Sequence, residues 1–277
     1  MPEVSVIMSV YNMAGRPVLQ AAVHSIKNQT YKDWELILCD DGSTDHTLQV
    51  LRQISKGDQR IQVIHYKRNR GAGFARNACI RAAGGKYIAV MDADDLSEPY
   101  RLERQAAFLD KHTEYALVGC NVRLIDEGGV WGERILEQKP VKRSFLSTMP
   151  FVHPSVMFRR TVLEELHGYA ATPQTLRVED YDLLMRLYAR GYRGYNIQEP
   201  LFRYREDPAS YKKRDYRSRI RECRVRYVRF RDMGILHGHL RYVLKPLAVG
   251  IIPGFLMRMI KKRRYRVKMS SCGGQHG

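Results

Sequence analysis

Short apolar runs alternate with amphipathic segments along the first hundred residues. The runs are continuous and largely β-branched, which is typical of strands buried on both faces of a parallel sheet. This pattern predicts four strands, over residues 4–10, 34–39, 61–66 and 87–91.

The segments between these runs carry apolar residues at helical spacing. The first follows Pro17, which suits the first turn of a helix, and the third is closed by Gly84-Gly85. The predicted helical stripes are Leu19, Ala22, Val23 and Ile26; Thr47, Val50, Leu51 and Ile54; and Ala75, Ala78, Cys79 and Ala82. Because strands and helices alternate with short connections, we expect an α/β fold with a doubly wound, mostly parallel sheet.

After Pro99 the alternation becomes less regular. The sequence predicts a helix near residues 101–111, a strand near 116–125, a buried strand at 153–158, and a helix that follows Val178. The buried stripe of that last helix is predicted to contain Tyr181, Leu184, Met185 and Tyr188. We interpret residues 100–210 as the part of the fold that completes the sheet and forms a second wall.

Polar clusters follow three of the predicted strands. They are Ser9, Tyr11 and Asn12; Asp40-Asp41-Gly42-Ser43; and Asp92-Ala93-Asp94-Asp95. In a doubly wound sheet, ligands bind at the carboxyl ends of the strands. The three clusters therefore predict a single site at that edge.

The aspartates of the third cluster repel one another unless a positive charge neutralises them. In an extended segment, Asp92 and Asp94 would lie on the same side of the chain, since side chains alternate. Carboxylates suit Mg²⁺ or Mn²⁺, whose shells are completed by substrate phosphates. The alternative is a set of acids that cap the helix near Pro99 or lie solvated in a turn.

Four sequence blocks resemble a known family. VSVIMSVYN, QTYKDWELILCDDGSTD, GAGFARN and GGKYIAVMDADD occur in this order between residues 4 and 95. Together they resemble family 2 glycosyltransferases of the GT-A fold, which are inverting enzymes that use nucleotide-diphosphate sugars. The resemblance extends from residue 4 to about residue 210. It implies that 1–99 is the nucleotide-sugar-binding half and 100–210 the acceptor-binding half of one catalytic domain.

The resemblance also assigns nucleotide contacts. Tyr11 matches the aromatic residue that packs on the base, and Ser9 lies beside it as a polar contact. Asp41 matches the residue that accepts a hydrogen bond from the uracil ring N–H, and Arg76 matches a basic contact near the diphosphate. The alternatives are an ordinary half-buried aromatic for Tyr11, a helix N-cap for Asp41 and a solvated helix face for Arg76.

For the chemistry, the resemblance implies a pair of aspartates that bind one divalent cation and a third aspartate that acts as the general base. Asp94 is expected to bind the cation directly and Asp92 through water, while Asp180 takes a proton from the acceptor hydroxyl. Glu179 also suits the first turn of a helix, where the dipole favours an acid. His153 is expected to be a packed or hydrogen-bonded histidine.

The function implied is metal-assisted single displacement from a UDP-sugar to a hydroxyl of a glycan or lipid-linked glycan. A nucleotidyltransferase acting on sugar phosphates is the first alternative, but SVYNMAGRP is a poor match to the glycine-rich, basic phosphate loop that such an enzyme carries after its first strand. A non-catalytic nucleotide-sugar-binding module is the second. The presence of both the acidic pair and Asp180 argues against it.

The net charge of +18 is concentrated at the C-terminus. Residues 1–210 contain 28 basic and 26 acidic residues, whereas residues 211–277 contain 19 basic and 3 acidic residues. This basic helical tail is predicted to pack through a seam of Tyr216, Ile220, Cys223, Tyr227 and Phe230, with arginines in solvent. We expect its partner to be an anionic surface.

The uncharged run 246–257 is followed by a cluster of basic residues. As a helix it would be about 18 Å long, short of the ~30 Å hydrocarbon core, so we expect it to lie in the interface of an anionic membrane. Nucleic-acid binding is the weaker alternative, because no such motif is present. The odd number of five cysteines, without a CxxC pair, fits a reducing compartment, and no signal peptide is recognised. The prediction is a cytoplasmic protein, peripheral at the inner face of the membrane.

Overall fold

The computed structural model describes residues 2–206 and 216–265. Parts of the predicted tail, residues 211–215 and 266–277 with Cys272, lie outside the described residues, as do residues 207–210 of the predicted acceptor half.

One mixed sheet forms the centre of the protein. Its strands are β1 (Val4–Val10), β2 (Trp34–Asp40), β3 (Ile61–His65), β4 (Tyr87–Asp92), β5 (Leu96–Ser97), β6 (Leu117–Asp126), β7 (Gly129–Arg134), β8 (Met157–Arg159) and β9 (Gly194–Arg205). They are ordered β3-β2-β1-β4-β8-β6-β9-β5, with β7 beside β6. The first four strands are parallel, and β8 runs antiparallel to both of its neighbours. The predicted doubly wound, mostly parallel sheet is confirmed.

The helices cover both faces of this sheet. They are α1 (Pro17–Lys27), α2 (Thr47–Ser55), α3 (Ala72–Ala82), α4 (Arg101–Lys111), α5 (Arg160–Glu165), α6 (Glu179–Ala189), α7 (Tyr216–Asp232), α8 (Leu240–Ile251) and α9 (Gly254–Tyr265). One apolar core lies under α3 and α6, and the other lies under α1 and α4. Every member of the predicted stripes of α1 and α6 is buried.

The strand predicted at 153–158 is wrong over its first half. A 3₁₀ turn occupies His153–Ser155, and β8 begins only at Met157. Pro154 has no N–H to donate to a ladder, and the backbone N–H groups of Ser155 and Val156 donate instead to Val152 and His153 within the turn.

The seam predicted for α7 is wrong at three of its five positions, since only Phe230 is buried and Cys223 half-buried. Tyr216, Ile220 and Tyr227 are exposed, whereas Ser218, Val225, Arg226 and Phe230 are buried. Arg226 takes an inward position, because carbonyl oxygens there accept its hydrogen bonds, whereas Arg217, Arg224 and Arg231 are exposed.

Two arginines of α7 bind acceptors elsewhere in the protein. The guanidinium of Arg226 donates to the carbonyl oxygens of Leu146 (3.0 Å) and Tyr242 (3.2 Å) and pairs with Glu222. Arg229 Nε lies 2.7 Å from Asp182 Oδ1. A hydropathy stripe cannot reveal such a face, since arginine counts there as a surface residue.

The apolar run 246–257 does not form one helix. α8 ends at Ile251 and α9 begins at Gly254, and the two helices are bent by 115° at Pro253, which cannot continue the hydrogen-bond ladder of α8. No single helix within 2–206 or 216–265 is long and apolar enough to cross a membrane. The bent pair, taken together, has the length and composition of a span.

Helix α9 packs with its polar side toward the protein. Arg258 Nη2 lies 3.2 Å from Asp126 Oδ2, Lys261 pairs with Glu206, and Lys262 lies over the ring of Trp131 at 5.9 Å. Successive helical residues are about 100° apart, so the side chains at 255, 256, 259 and 260 lie on the opposite face. All four are exposed, Phe255 to 66% and Met259 to 65%.

Candidate functional site

The loops after β1 and β2 are tied together at the carboxyl edge of the sheet. Ser43 Oγ accepts a hydrogen bond from the Asn12 backbone N–H (3.0 Å), and Asn12 Oδ1 accepts one from the Thr44 N–H (2.9 Å). Gly42 has φ +69°, and a Cβ there would lie 2.3 Å from the carbonyl carbon of Arg68. Only glycine fits this position, so the close approach of the loop after β2 to residue 68 depends on it.

The two predicted residues of β1 lie at this edge. Ser9 is half-buried and is in register with Cys39 of β2 and Asp92 of β4. Tyr11 follows the strand and is 45% exposed. An aromatic ring this exposed can pack against a planar ligand.

Asp41 is buried and does not cap a helix, since the N-cap of α2 is His46. Its Oδ1 and Oδ2 accept the backbone N–H groups of Arg70 (2.9 Å) and Gly71 (2.8 Å). Burial raises the pKa of Asp41, while these two hydrogen bonds lower it. The carboxylate thereby fixes the loop that leads into α3, and each oxygen keeps further acceptor capacity.

The acidic cluster forms a turn and not the extended segment that the sequence analysis assumed. β4 ends at Asp92, and the Asp95 N–H donates to the Asp92 carbonyl oxygen at 3.4 Å. Asp95 is buried, and its Oδ1 accepts the Arg205 backbone N–H at 2.6 Å. Burial raises the pKa of Asp95 well above its usual value, and the charges of Asp94 and Asp92 raise it further. Asp92 and Asp94 remain half-buried at the rim of the site.

Arg76 is only 6% exposed, so the solvated-face alternative is wrong. Its Nη2 lies 2.7 Å from Asp92 Oδ1, and its Nη1 lies 3.8 Å from Glu179 Oε1. Burial lowers the pKa of Arg76, but Asp92, Tyr169 and Glu179 outweigh it, and the net shift is upward. The guanidinium therefore stays charged and joins the end of β4 to the start of α6.

Asp180 lies in the first turn of α6, directly after Glu179. It is half-buried, and its Oδ1 accepts the Tyr181 backbone N–H at 2.7 Å. Through Glu179 and Arg76, the turn that carries the predicted base is linked to Asp92 of the predicted metal pair.

Sequence reasoning missed a layer of side chains beneath Arg76. Asn77 Nδ2 donates to the Tyr169 carbonyl oxygen, and Asn77 Oδ1 accepts the Tyr169 N–H, both at 2.8 Å. Tyr169 in turn lies with its hydroxyl 2.9 Å from His153 Nε2, which agrees with the packed histidine that was predicted. Asn77 follows Arg76 in the GAGFARN block, but no local pattern points to Tyr169.

The acidic turn fits a cation whose shell is completed by substrate. Within the described ranges, no group of three or more His, Cys, Asp or Glu side chains is arranged to hold a metal ion. Asp92 Oδ1 is engaged by Arg76. Asp92 Oδ2 and the carboxylate of the neighbouring Asp94 are hard oxygen donors of the kind that suits such a cation. One or two carboxylates with phosphate oxygens are a usual ligand set for Mg²⁺.

Two family profiles match the chain. Glycosyl transferase family 2 covers residues 5–167, and Glycosyl transferase family group 2 covers residues 87–262.

Several curated proteins are similar in sequence. Putative glycosyltransferase EpsE of Bacillus subtilis is 40% identical over 95% of this chain and 94% of its own length. Putative teichuronic acid biosynthesis glycosyltransferase TuaG of the same organism is 31% identical over 74% of this chain and 79% of its own. UDP-Glc:alpha-D-GlcNAc-diphosphoundecaprenol beta-1,3-glucosyltransferase WfgD of Escherichia coli is 32% identical over 58% of this chain and 61% of its own length.

Solved structures match the fold at low sequence identity. Residues 1–349 of TarS from S. aureus, in complex with UDP-GlcNAc, superpose with a TM-score of 0.69 at 19% identity, over 90% of this chain and 71% of that chain. Mannosyltransferase PcManGT from Pyrobaculum calidifontis, in complex with GDP-Man and Mn²⁺, superposes with a TM-score of 0.62 at 22% identity, over 95% of this chain and 80% of that chain. The fold is therefore of the GT-A type. With a family profile matched over more than half of its length and a relative 40% identical along nearly all of it, the chain belongs to glycosyl transferase family 2 and is a glycosyltransferase.

Proposed function

We propose that this glycosyltransferase moves a hexosyl group from a UDP-sugar to a hydroxyl of a glycan or lipid-linked glycan, with inversion. The observation that carries the proposal is the buried Arg76, which joins Asp92 at the acidic turn to Glu179 at the turn of Asp180. The names of WfgD and of the TarS complex support a UDP-linked donor, and that of WfgD supports a lipid-diphosphate acceptor.

The loops after β1 and β2 form the nucleoside end of the proposed site. Tyr11 offers an exposed ring for base packing, with Ser9 beside it in β1. Asp41 offers remaining acceptor capacity to a base that presents an N–H, as uracil does.

Asp94 and Asp92 would hold the divalent cation, and PcManGT, whose structure contains Mn²⁺, supports that assignment. Bound there, the cation would stabilise the charge on the departing diphosphate as a Lewis acid. Arg76 orients Asp92 through its 2.7 Å contact. The positive charge of its guanidinium also favours an anionic leaving group nearby.

Asp180 would accept the proton of the attacking hydroxyl. General base catalysis of this kind contributes about 10²–10⁴-fold in rate. An aspartate is ionised at neutral pH without a large shift of its pKa, so placement decides its efficiency. Its side chain is oriented by the Tyr181 N–H in the first turn of α6.

We also propose that α8 and α9 attach the enzyme to an anionic membrane surface, where a lipid-linked acceptor would be found. Residues 240–265 contain seven basic and no acidic residues. In α9, ion pairs to Asp126 and Glu206 hold the polar face against the protein and leave the apolar face in solvent. In α8, Leu240, Leu244 and Ile251 are also exposed. An apolar face beside cations suits the interface of an anionic leaflet.

A donor panel tests the reaction. The full-length protein is incubated with UDP- and GDP-linked hexoses and Mn²⁺, with and without short glycan acceptors, and released nucleotide is measured. Transfer or slow hydrolysis that is confined to one or more UDP-hexoses supports the proposal. Turnover of a GDP-sugar alone, or formation of a nucleotide sugar from a sugar phosphate and UTP, would overturn it, the latter in favour of a nucleotidyltransferase. Binding of a donor without any turnover would instead indicate a non-catalytic module.

A further inference from the structure

A cavity of about 220 Å³ lies between the start of α3 and the segment that precedes α6. Its walls come from Gly71, Gly73 and Phe74 on one side and from Ala170–Leu176 on the other, and Glu179 lies among its lining residues. Sites that enclose whole drug-sized ligands measure roughly 300–1,000 Å³. This cavity is therefore too small for a nucleotide sugar and suits a group the size of one sugar ring.

Most of the cavity wall is apolar. Ala170, Ala171, Pro173 and Leu176 line it together with Phe74, whose ring is covered on one face by the guanidinium of Arg70 at 3.6 Å. Pyranose rings have apolar C–H faces that pack on such surfaces. The wall accordingly favours a neutral ring over a phosphate.

Glu179 adds one polar group with an unused acceptor. The residue is 8% exposed, and its Oε1 lies on the side of Arg76, at 3.8 Å from Nη1. Its Oε2 is buried and has no hydrogen-bond partner among the residues that the structure describes. A buried carboxylate oxygen without a partner carries a desolvation cost, which a donor group of a ligand would remove.

The start of α3 leaves room for this carboxylate. Gly73 packs against it so closely that a Cβ at position 73 would lie 3.1 Å from Glu179 Cγ. The glycine therefore permits Glu179 to stand between the cavity and Arg76. Glu179 thus lies among the residues that line the cavity while its Oε1 is 3.8 Å from Nη1 of the buried Arg76.

We propose that this cavity is a monosaccharide subsite in which Glu179 Oε2 accepts a hydrogen bond from a sugar hydroxyl or amide N–H. The inference rests on the proposed glycosyl transfer and names the contact that selects the sugar. The ring belongs either to the hexose of the donor or to the terminal hexose of the acceptor, since both present the same chemistry.

Two variants test the subsite independently of each other. Glu179→Gln keeps the size of the side chain and removes the carboxylate, and Ala171→Leu fills the cavity from an exposed position without touching the pair with Arg76. Glu165→Gln, which makes the same chemical change at an exposed glutamate of α5, is the matched control. Calorimetry measures the affinity for free nucleotide and for the tightest-binding member of a UDP- and GDP-hexose panel, and initial rates give the acceptor KM.

If the ring is that of the donor, both variants bind the free nucleotide as wild type does and lose at least tenfold in affinity for the nucleotide sugar. If it is that of the acceptor, both nucleotide affinities are retained and the acceptor KM rises at least tenfold. The proposal is overturned if both variants stay within twofold of wild type throughout, or if both weaken free nucleotide and nucleotide sugar equally, which would place the nucleoside in the cavity. A wild type that binds only a GDP-hexose refutes the UDP assignment and leaves the subsite test intact. A wild type that binds no member of the panel overturns both.

Discussion

Arg76 Nη2 donates to Asp92 Oδ1 at 2.7 Å from a position that is almost fully buried. The contact joins the third of the four sequence blocks, GAGFARN, to the fourth, GGKYIAVMDADD. The other terminal nitrogen of the guanidinium, Nη1, lies 3.8 Å from Glu179 Oε1. A buried cation between two acids stabilises the fold only while both sides remain paired. The same contact would position the acidic turn for catalysis.

Replacing Arg76 by Gln should lower the free energy of unfolding by about 3 kcal/mol. This is the lower end of the range for breaking a buried pair, because the side chain of Asp92 is still 30% exposed. Arg76→Lys should cost less, since it keeps the charge and loses the planar fork. Urea unfolding followed by circular dichroism measures both. Equal midpoints for wild type and Arg76→Gln would show that the contact contributes nothing.

Asp180→Asn should reduce transfer by about 10²–10⁴-fold, the usual contribution of a general base. Donor affinity should remain within twofold, because the amide oxygen can still accept the Tyr181 N–H. The control is Asp110→Asn, which makes the same change on α4, where Asp110 contacts Lys86 and Tyr87. Near-wild-type turnover by Asp180→Asn would remove this residue from the role of base.

Chelation by EDTA should abolish transfer, and added Mn²⁺ should restore it. Asp94→Asn removes one negative charge from the acidic turn and should raise the Mn²⁺ concentration for half-maximal activity by about 10–100-fold, as loss of a group that supports a metal site commonly does. Direct Mn²⁺ titration in the presence of UDP gives a second measurement that does not depend on turnover. Full activity in EDTA would argue against any role of a cation at Asp92 and Asp94.

The sheet and the placement of its polar edge were predictable from the sequence. The continuous strands and the buried stripes of α1 and α6 follow from local periodicity, and the ends of parallel strands must meet at one edge. The burial of Arg76 was not predictable, because it depends on Asp92 and Glu179, which lie 16 and 103 positions away.

Two errors have the same physical origin. The seam of α7 was assigned from apolar residues alone, but the carbonyl oxygens of Leu146 and Tyr242 accept hydrogen bonds from Arg226, which is therefore buried while Tyr227 is exposed. The acidic segment was taken as extended, but a turn between Asp92 and Asp95 buries Asp95 beside Arg205. In both cases partners distant in sequence decided which polar groups are buried.

Phe255→Ser with Met259→Ser should weaken binding to vesicles that contain anionic lipid. Each side chain is about two-thirds exposed, so its burial in the interface would contribute about 1–2 kcal/mol, and the double variant should lose at least about thirtyfold in partitioning. Ile135→Ser, which removes an exposed apolar residue after β7, is the matched control.

Flotation at low and high salt, with and without anionic lipid, measures this effect. Attachment should also weaken with salt, because the exposed Lys262, Arg263 and Arg264 follow the apolar residues of α9 in the chain. A full-length protein that stays in the unbound fraction at low salt would refute the membrane proposal. Concentration-dependent dimers that the double variant abolishes would instead assign the face to a second copy of the chain.

The buried His153 should make stability fall on acidification. Burial lowers the pKa of His153 well below its usual value, and the nearby positive charge of Arg76 lowers it further. Below pH ~6.5, the unfolded chain binds a proton that the folded protein excludes, so the free energy of unfolding decreases by up to about 1.4 kcal/mol per pH unit from this group. Above that pH the contribution is constant. His153→Gln can still hydrogen-bond the Tyr169 hydroxyl and cannot titrate, so its unfolding free energy should decline less between pH 7 and 5.5. Parallel pH profiles of the two proteins would show that another group is responsible.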